Sequence, residues 1–131
     1  PKVARFFAWM GLVGAVIAFV FPDPSDFMWP HLTNLTFVST HCFIAMGSIM
    51  VIARNDVKLC VIDACVMTVV MNAFLVIVNA MLGSNYGYLT ELPPGIPLQL
   101  NKYMLFVLLT AVISGGEPLL DRAYAAIKMH D

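Results

Sequence analysis

The sequence predicts an all-α, membrane-spanning four-helix bundle with both termini on the cytoplasmic side and a short surface helix at the C-terminal end. Three observations predict it. Four apolar runs, Phe6–Phe21, Leu35–Ala53, Leu59–Leu82 and Leu98–Ile113, fill most of the 131 residues. Each approaches the ~17–25 residues that a helix needs to cross a ~30 Å hydrocarbon core at ~1.5 Å per residue. The composition is 60% hydrophobic and 11% charged, against about 25% charged in soluble domains, and mean hydropathy is +0.85. Finally, the cations are one-sided. Lys2 and Arg5 precede the first run, Arg54 and Lys58 separate the second from the third, and Arg122 and Lys128 follow the fourth, whereas Lys102 alone lies near the opposite side. Positive charge is retained on the cytoplasmic side, so this bias sets the orientation, and an even number of spans agrees with it. A chain of this length has room for one domain, here a single transmembrane domain.

Helix 1, expected over residues 6–21, has no strongly polar side chain after Arg5. Its Ala4, Ala8, Gly11, Ala15 and Ala18 recur every three or four residues, a stripe that lets another backbone come close when lipid is the solvent. Ala8, Gly11 and Ala15 are therefore candidate contacts to a neighbouring helix, to a larger membrane subunit or to a second copy. The loop that follows holds Pro22, Pro24, Phe27, Met28, Trp29 and Pro30, suited to an aromatic segment at the membrane interface.

Helix 2, over 35–53, places Asn34, His41 and Ser48 seven residues apart, nearly along one line. Polar groups inside a span normally face protein, and an intramembrane histidine is a candidate functional residue. It serves equally as a neutral imidazole bonded to a neighbouring helix. Helix 3, over 59–82, carries Cys65, Thr68, Asn72 and Asn79 within about a 60° arc. That stripe either holds the helices together by hydrogen bonds or lines a polar site. Asp63 points away from it, near the cations of the 2–3 loop, and reads as a snorkelling or loop-paired carboxylate or as a contact to a helix or subunit outside this chain.

Depth selects the candidate site. His41 lies about six residues, or roughly 9 Å, below the outer end of helix 2. That level on helix 3 falls between Asn72 and Asn79, while Asp63 is ~20 Å further in. The expected partners of His41 are Asn72, Asn79 and the loop residues Ser84, Asn85 and Tyr86. Cys42 projects ~100° away from His41 on the same helix, and Cys60 and Cys65 fall in the cytoplasmic half. No cysteine here pairs with this histidine.

Helix 4, over 98–113, is expected to break at Ser114-Gly115-Gly116-Glu117-Pro118. Pro118 then opens a surface helix over 118–129, since a first-turn proline costs no helical hydrogen bond. Leu120, Tyr124 and Ile127 would share its membrane-facing side.

Several classes drop out. A net charge of −1 with no basic run disfavours nucleic acid. Three cysteines, without a Cys-x-x-Cys pair, give neither a disulfide framework nor a zinc site. No cofactor is expected. The first run has no small-x-small cleavage site and reads as a retained helix. The chain opens at Pro1, which implies either removal of an initiator Met or a longer protein upstream.

Phe21-Pro22, the Phe37-x-x-x-His41 pattern, and Val78-Asn79 followed by Gly83-Ser84-Asn85-Tyr86-Gly87-Tyr88-Leu89 and a proline resemble the YwaF-like family of bacterial multi-pass membrane proteins. More distantly, they are similar to a eukaryotic transmembrane acyltransferase family that uses a Cys–His pair. The resemblance covers Gly11 to about Pro93. It implies a catalytic role for His41, places Asn79 and Asn85 on family asparagines, and puts the cysteine on a helix upstream of helix 1. It also implies a bacterial cytoplasmic membrane. Three functions follow as expectations: acyl transfer on a lipid or lipid-linked substrate, a non-enzymatic membrane subunit, or a solute-binding or transport subunit. Whether the chain is an enzyme stays open at this level. In the first, His41 is the general base, and Asn72, Asn79, Asn85, Tyr86 and Ser84 bind substrate.

Overall fold

The computed structural model describes residues 1–21, 31–92, 96 and 98–129. Among these it is all-helical: α1 Lys2–Val20, α2 Leu32–Arg54, α3 Val61–Leu82 and α4 Lys102–Lys128, with a 3-10 turn at Tyr86–Tyr88. All four helices are long and apolar enough to cross a membrane. The proline- and aromatic-rich loop expected at the interface, and Pro93 to Gly95, lie outside the described residues. By its contacts the chain divides into two compact units, one containing Val3–Asp56 and the other Val57–Asp131 together with Lys2.

In the first unit α1 and α2 run antiparallel, as the pairs Arg5 with Ile52, Gly11 with Ser48 and Phe19 with Phe37 require. The helices meet where Gly11 has no side chain: a Cβ there would sit 2.6 Å from the Ser48 hydroxyl oxygen and 3.1 Å from Ile44. Ala8 and Ala15 are buried as well. Within the small-residue stripe Gly11 thus faces α2, while Ala4 stays exposed.

Arg5 is buried, and its guanidinium donates to the Ile52 carbonyl at 2.9 Å and to the Asn55 carbonyl. The last carbonyls of α2 have no partner within the helix and carry the negative end of its dipole, so a cation there is stabilising. The Asn55 side chain closes this end by donating to the Pro1 carbonyl at 2.9 Å. At the other end the His31 ring accepts from the Thr33 N–H and caps α2. This starts the helix three residues earlier than the apolar run suggests.

In the second unit α3 and α4 pack antiparallel, tied by the Leu59 N–H donating to Asp121 at 2.9 Å and by Asn72 donating to Thr110 at 3.0 Å. The buried line of α3 is Ala64, Thr68, Asn72 and Asn79. Cys65, expected on that line, is exposed, because the packed face is centred one residue earlier at this end of the helix. Asp63 pairs with Lys2 at 2.7 Å rather than with the cations of the preceding loop.

The expected break in helix 4 does not occur. One helix of 27 residues runs from the Asn101 cap, whose side chain accepts from the Tyr103 and Met104 N–H groups, through Pro118 to Lys128. The separate surface helix over 118–129 is therefore corrected to the last turns of α4. Proline in a helix forfeits one hydrogen bond, whereas breaking the helix at membrane depth would strand several backbone groups without water. Pro118 is itself buried.

Candidate functional site

His41 lies nine residues beyond the start of α2, about 14 Å along the axis and deeper than the apolar run alone implies. It is half-buried, with ring contacts to Phe37 at 4.3 Å and Phe19 at 6.0 Å. Its Nδ1 lies 2.7 Å from the Phe37 carbonyl oxygen, one helical turn earlier. A carbonyl oxygen only accepts, so this bond puts the proton on Nδ1 and leaves the lone pair of the neutral ring on Nε2. The partners recorded for His41 in its own unit are these two phenyl rings and this carbonyl.

The other expected site residues belong to the second unit, where the C-terminal end of α3 is organised around two asparagines. α3 stops at Gly83, whose φ of +61° suits a residue without Cβ, and whose N–H returns to the Asn79 carbonyl. The Asn79 side chain then grips the turn that follows. Its amide oxygen accepts from the Tyr86 N–H at 2.8 Å and from the Ser84 hydroxyl at 3.0 Å, and its amide nitrogen donates to the Tyr86 carbonyl at 3.0 Å. The side chain thus bonds Tyr86 as a paired backbone would.

Asn85 repeats the device on the next stretch. It accepts from the Thr90 and Glu91 N–H groups at 2.9 and 3.3 Å and donates to the Glu91 carbonyl at 2.8 Å. Between the two clasps the backbone passes through positive φ at Gly87 and at Tyr88. For a tyrosine that conformation is uncommon and persists only where neighbours enforce it. Leu89, buried at 2% exposure, anchors the turn.

The structure thus brings Asn79, Ser84, Asn85 and Tyr86 together, and Asn72 lies about 10 Å further along α3. Most of their polar atoms are engaged within the chain. Asn79 and Asn85 spend both polar atoms on the loop, and Asn72 donates to Thr110 while 98% buried. Among these five residues only Tyr86 presents an exposed side chain, and Ser84 is half-buried.

A polar line on α4 escaped the sequence reading. Thr110, Ser114, Glu117 and Asp121 recur at spacings of four, three and four, and the last three are buried. That spacing is a helical face. It was hidden because Gly115, Gly116 and Pro118 read as punctuation. Among the described residues no cluster of histidine, cysteine or carboxylate groups could hold a metal ion.

Four helices, each long and apolar enough to cross a bilayer, define a multi-pass membrane protein. Comparison with known families matches residues 1–115 to the TMEM164 family, and the chain belongs to it. The bacterial specificity implied by the YwaF-like resemblance is not part of that match. No curated protein and no solved structure matches the chain.

Proposed function

We propose that this protein takes part in acyl transfer on a lipid or lipid-linked substrate within the membrane, with His41 as general base. One observation carries the proposal: the Nδ1–H bond to the Phe37 carbonyl, which leaves Nε2 as the basic nitrogen of a half-buried ring. A general base needs a fixed tautomer and a free lone pair, and the phenyl rings of Phe19 and Phe37 hold the imidazole against rotation.

Nε2 would take the proton of the attacking thiol or hydroxyl as that group adds to the ester carbonyl. It would return the proton to the departing alkoxide when the tetrahedral intermediate collapses. In the family that the chain resembles, the nucleophile is a cysteine on a helix upstream of the one matching helix 1. Within the second unit, the asparagine-clasped loop exposes the Tyr86 side chain, with Ser84 half-buried beside it. Asn79 and Asn85 act by shaping that loop, and Asn72 by tying α3 to α4.

The subunit reading loses support because Ala8, Gly11 and Ala15 are covered within the chain. The solute-binding reading loses support because the asparagine amides are spent on Thr110 and on the loop.

The test is acyl exchange between a labelled phospholipid and a lysophospholipid in membranes containing the wild-type protein or His41→Gln at equal abundance. The proposal expects a loss of about 10²–10⁴-fold, the range of a general base. Undiminished exchange by His41→Gln would overturn it.

A further inference from the structure

A second feature lies at the opposite end of α3 from the asparagine loop, and the acyl-transfer reading does not use it. α4 is 27 residues long, about 40 Å, whereas the hydrocarbon core is about 30 Å thick. With Lys102 at one boundary, the other falls near Arg122, about 20 residues on. The last turns of α4 therefore stand at headgroup level, beside the start of α3.

There the two helices enclose a cavity of about 300 Å³ lined by Lys58, Leu59, Cys60, Asp121, Arg122, Ala125, Ala126 and Met129. The bond from the Leu59 N–H to Asp121 fixes its inner wall. The Asp121 carboxylate is turned into the protein at 1% exposure, while Lys58 and Arg122 are exposed at the rim. No hydrogen bond or ion pair joins either cation to another described residue. The N-terminus of α3 is already met by its Cys60 cap, the first-turn Asp63 and the Asp121 carboxylate, so the positive charge of the cavity comes from the two cations. Ala125, Ala126 and Met129 give the cavity an apolar side.

We propose that this cavity binds the headgroup of an anionic phospholipid, with Lys58 and Arg122 on the phosphate and the lipid's first apolar carbons against Ala125, Ala126 and Met129. Two cations at the membrane boundary, without an ion-pair partner among the described residues, and an apolar wall match a phosphodiester joined to acyl chains. A free phosphate would use the cations alone. Guanidinium supplies a planar fork to two phosphate oxygens, and ammonium a mobile point charge, so the pair serves different oxygens.

The test is native mass spectrometry of the purified full chain in neutral detergent, titrated with phosphatidylglycerol, phosphatidylcholine or glycerol phosphate. The wild type is expected to hold one phosphatidylglycerol at least tenfold more tightly than phosphatidylcholine. Lys58→Gln with Arg122→Gln should lower that affinity about tenfold, whereas Lys102→Gln at the other end of α4 should leave it unchanged. The swap of Lys58→Arg with Arg122→Lys keeps both charges and should keep most of the binding. Equal binding by the doubly neutralised variant, or no preference over phosphatidylcholine, would overturn the proposal. Displacement of the lipid by millimolar glycerol phosphate would also overturn it, since the ligand would then be a soluble phosphate.

Discussion

Asn79 illustrates how a residue singled out by its chemistry can hold a different job from the one its type suggests. An asparagine in an apolar helix reads as a ligand for something polar, and here the something polar is the chain's own Tyr86 backbone. Asn79→Ala would strand the Tyr86 N–H and carbonyl, at a cost of about 1–3 kcal/mol for a buried group left unsatisfied. The measurement is thermal unfolding in detergent together with amide exchange over residues 84–91, both expected to report a loosened loop. Unchanged exchange in that loop would contradict the clasp. The positions of Asn79, Asn85 and His41 were legible in the sequence, because polar groups in apolar helices stand out. Their partners were not, because a seven-residue periodicity gives a face and leaves open whether the amide turns to a neighbour or back to its own loop.

Helices and their contacts follow the apolar periodicity closely, and the departures have local causes. The start of α2 moves to Leu32 because His31 provides a side-chain cap that apolar content does not register. The end of helix 4 moves by fifteen residues, from Ile113 to Lys128, because Gly115, Gly116 and Pro118 are punctuation in water and tolerable where breaking a helix costs more. The Ala8, Gly11, Ala15 stripe was legible as a packing face, but its partner was not.

Since Gly11 faces Ser48, Gly11→Leu should push α1 off α2. A loss of roughly 1–3 kcal/mol is expected, as for overpacking of a tight core. Thermal stability should fall while the detergent-extracted particle keeps its size. A change in particle size at unaltered stability would restore the intersubunit reading. Asp121→Ala should likewise cost about 1–3 kcal/mol, by orphaning the buried Leu59 N–H. A melting temperature equal to wild type would count against that tie.

At the scale of the whole molecule the surface is the clearest argument for lipid. Phe43, Ile62, Phe74 and Val107 are each more than 60% exposed, on α2, α3 and α4. Water would drive such surfaces together, whereas acyl chains solvate them. The four helices carry charged residues chiefly at their ends, and six of seven cations lie at the termini or between α2 and α3.

The account's central claim is that the chain crosses the bilayer four times with those cations on the cytoplasmic side. Its most direct test replaces Cys42, Cys60 and Cys65 with serine, then introduces one reporter at a time, Asp56→Cys or Gln99→Cys. Intact cells are treated with a membrane-impermeant maleimide. The account predicts labelling at position 99 in intact cells and at position 56 only after the membrane is opened. Labelling of both positions from outside, or of position 56 alone, would contradict it.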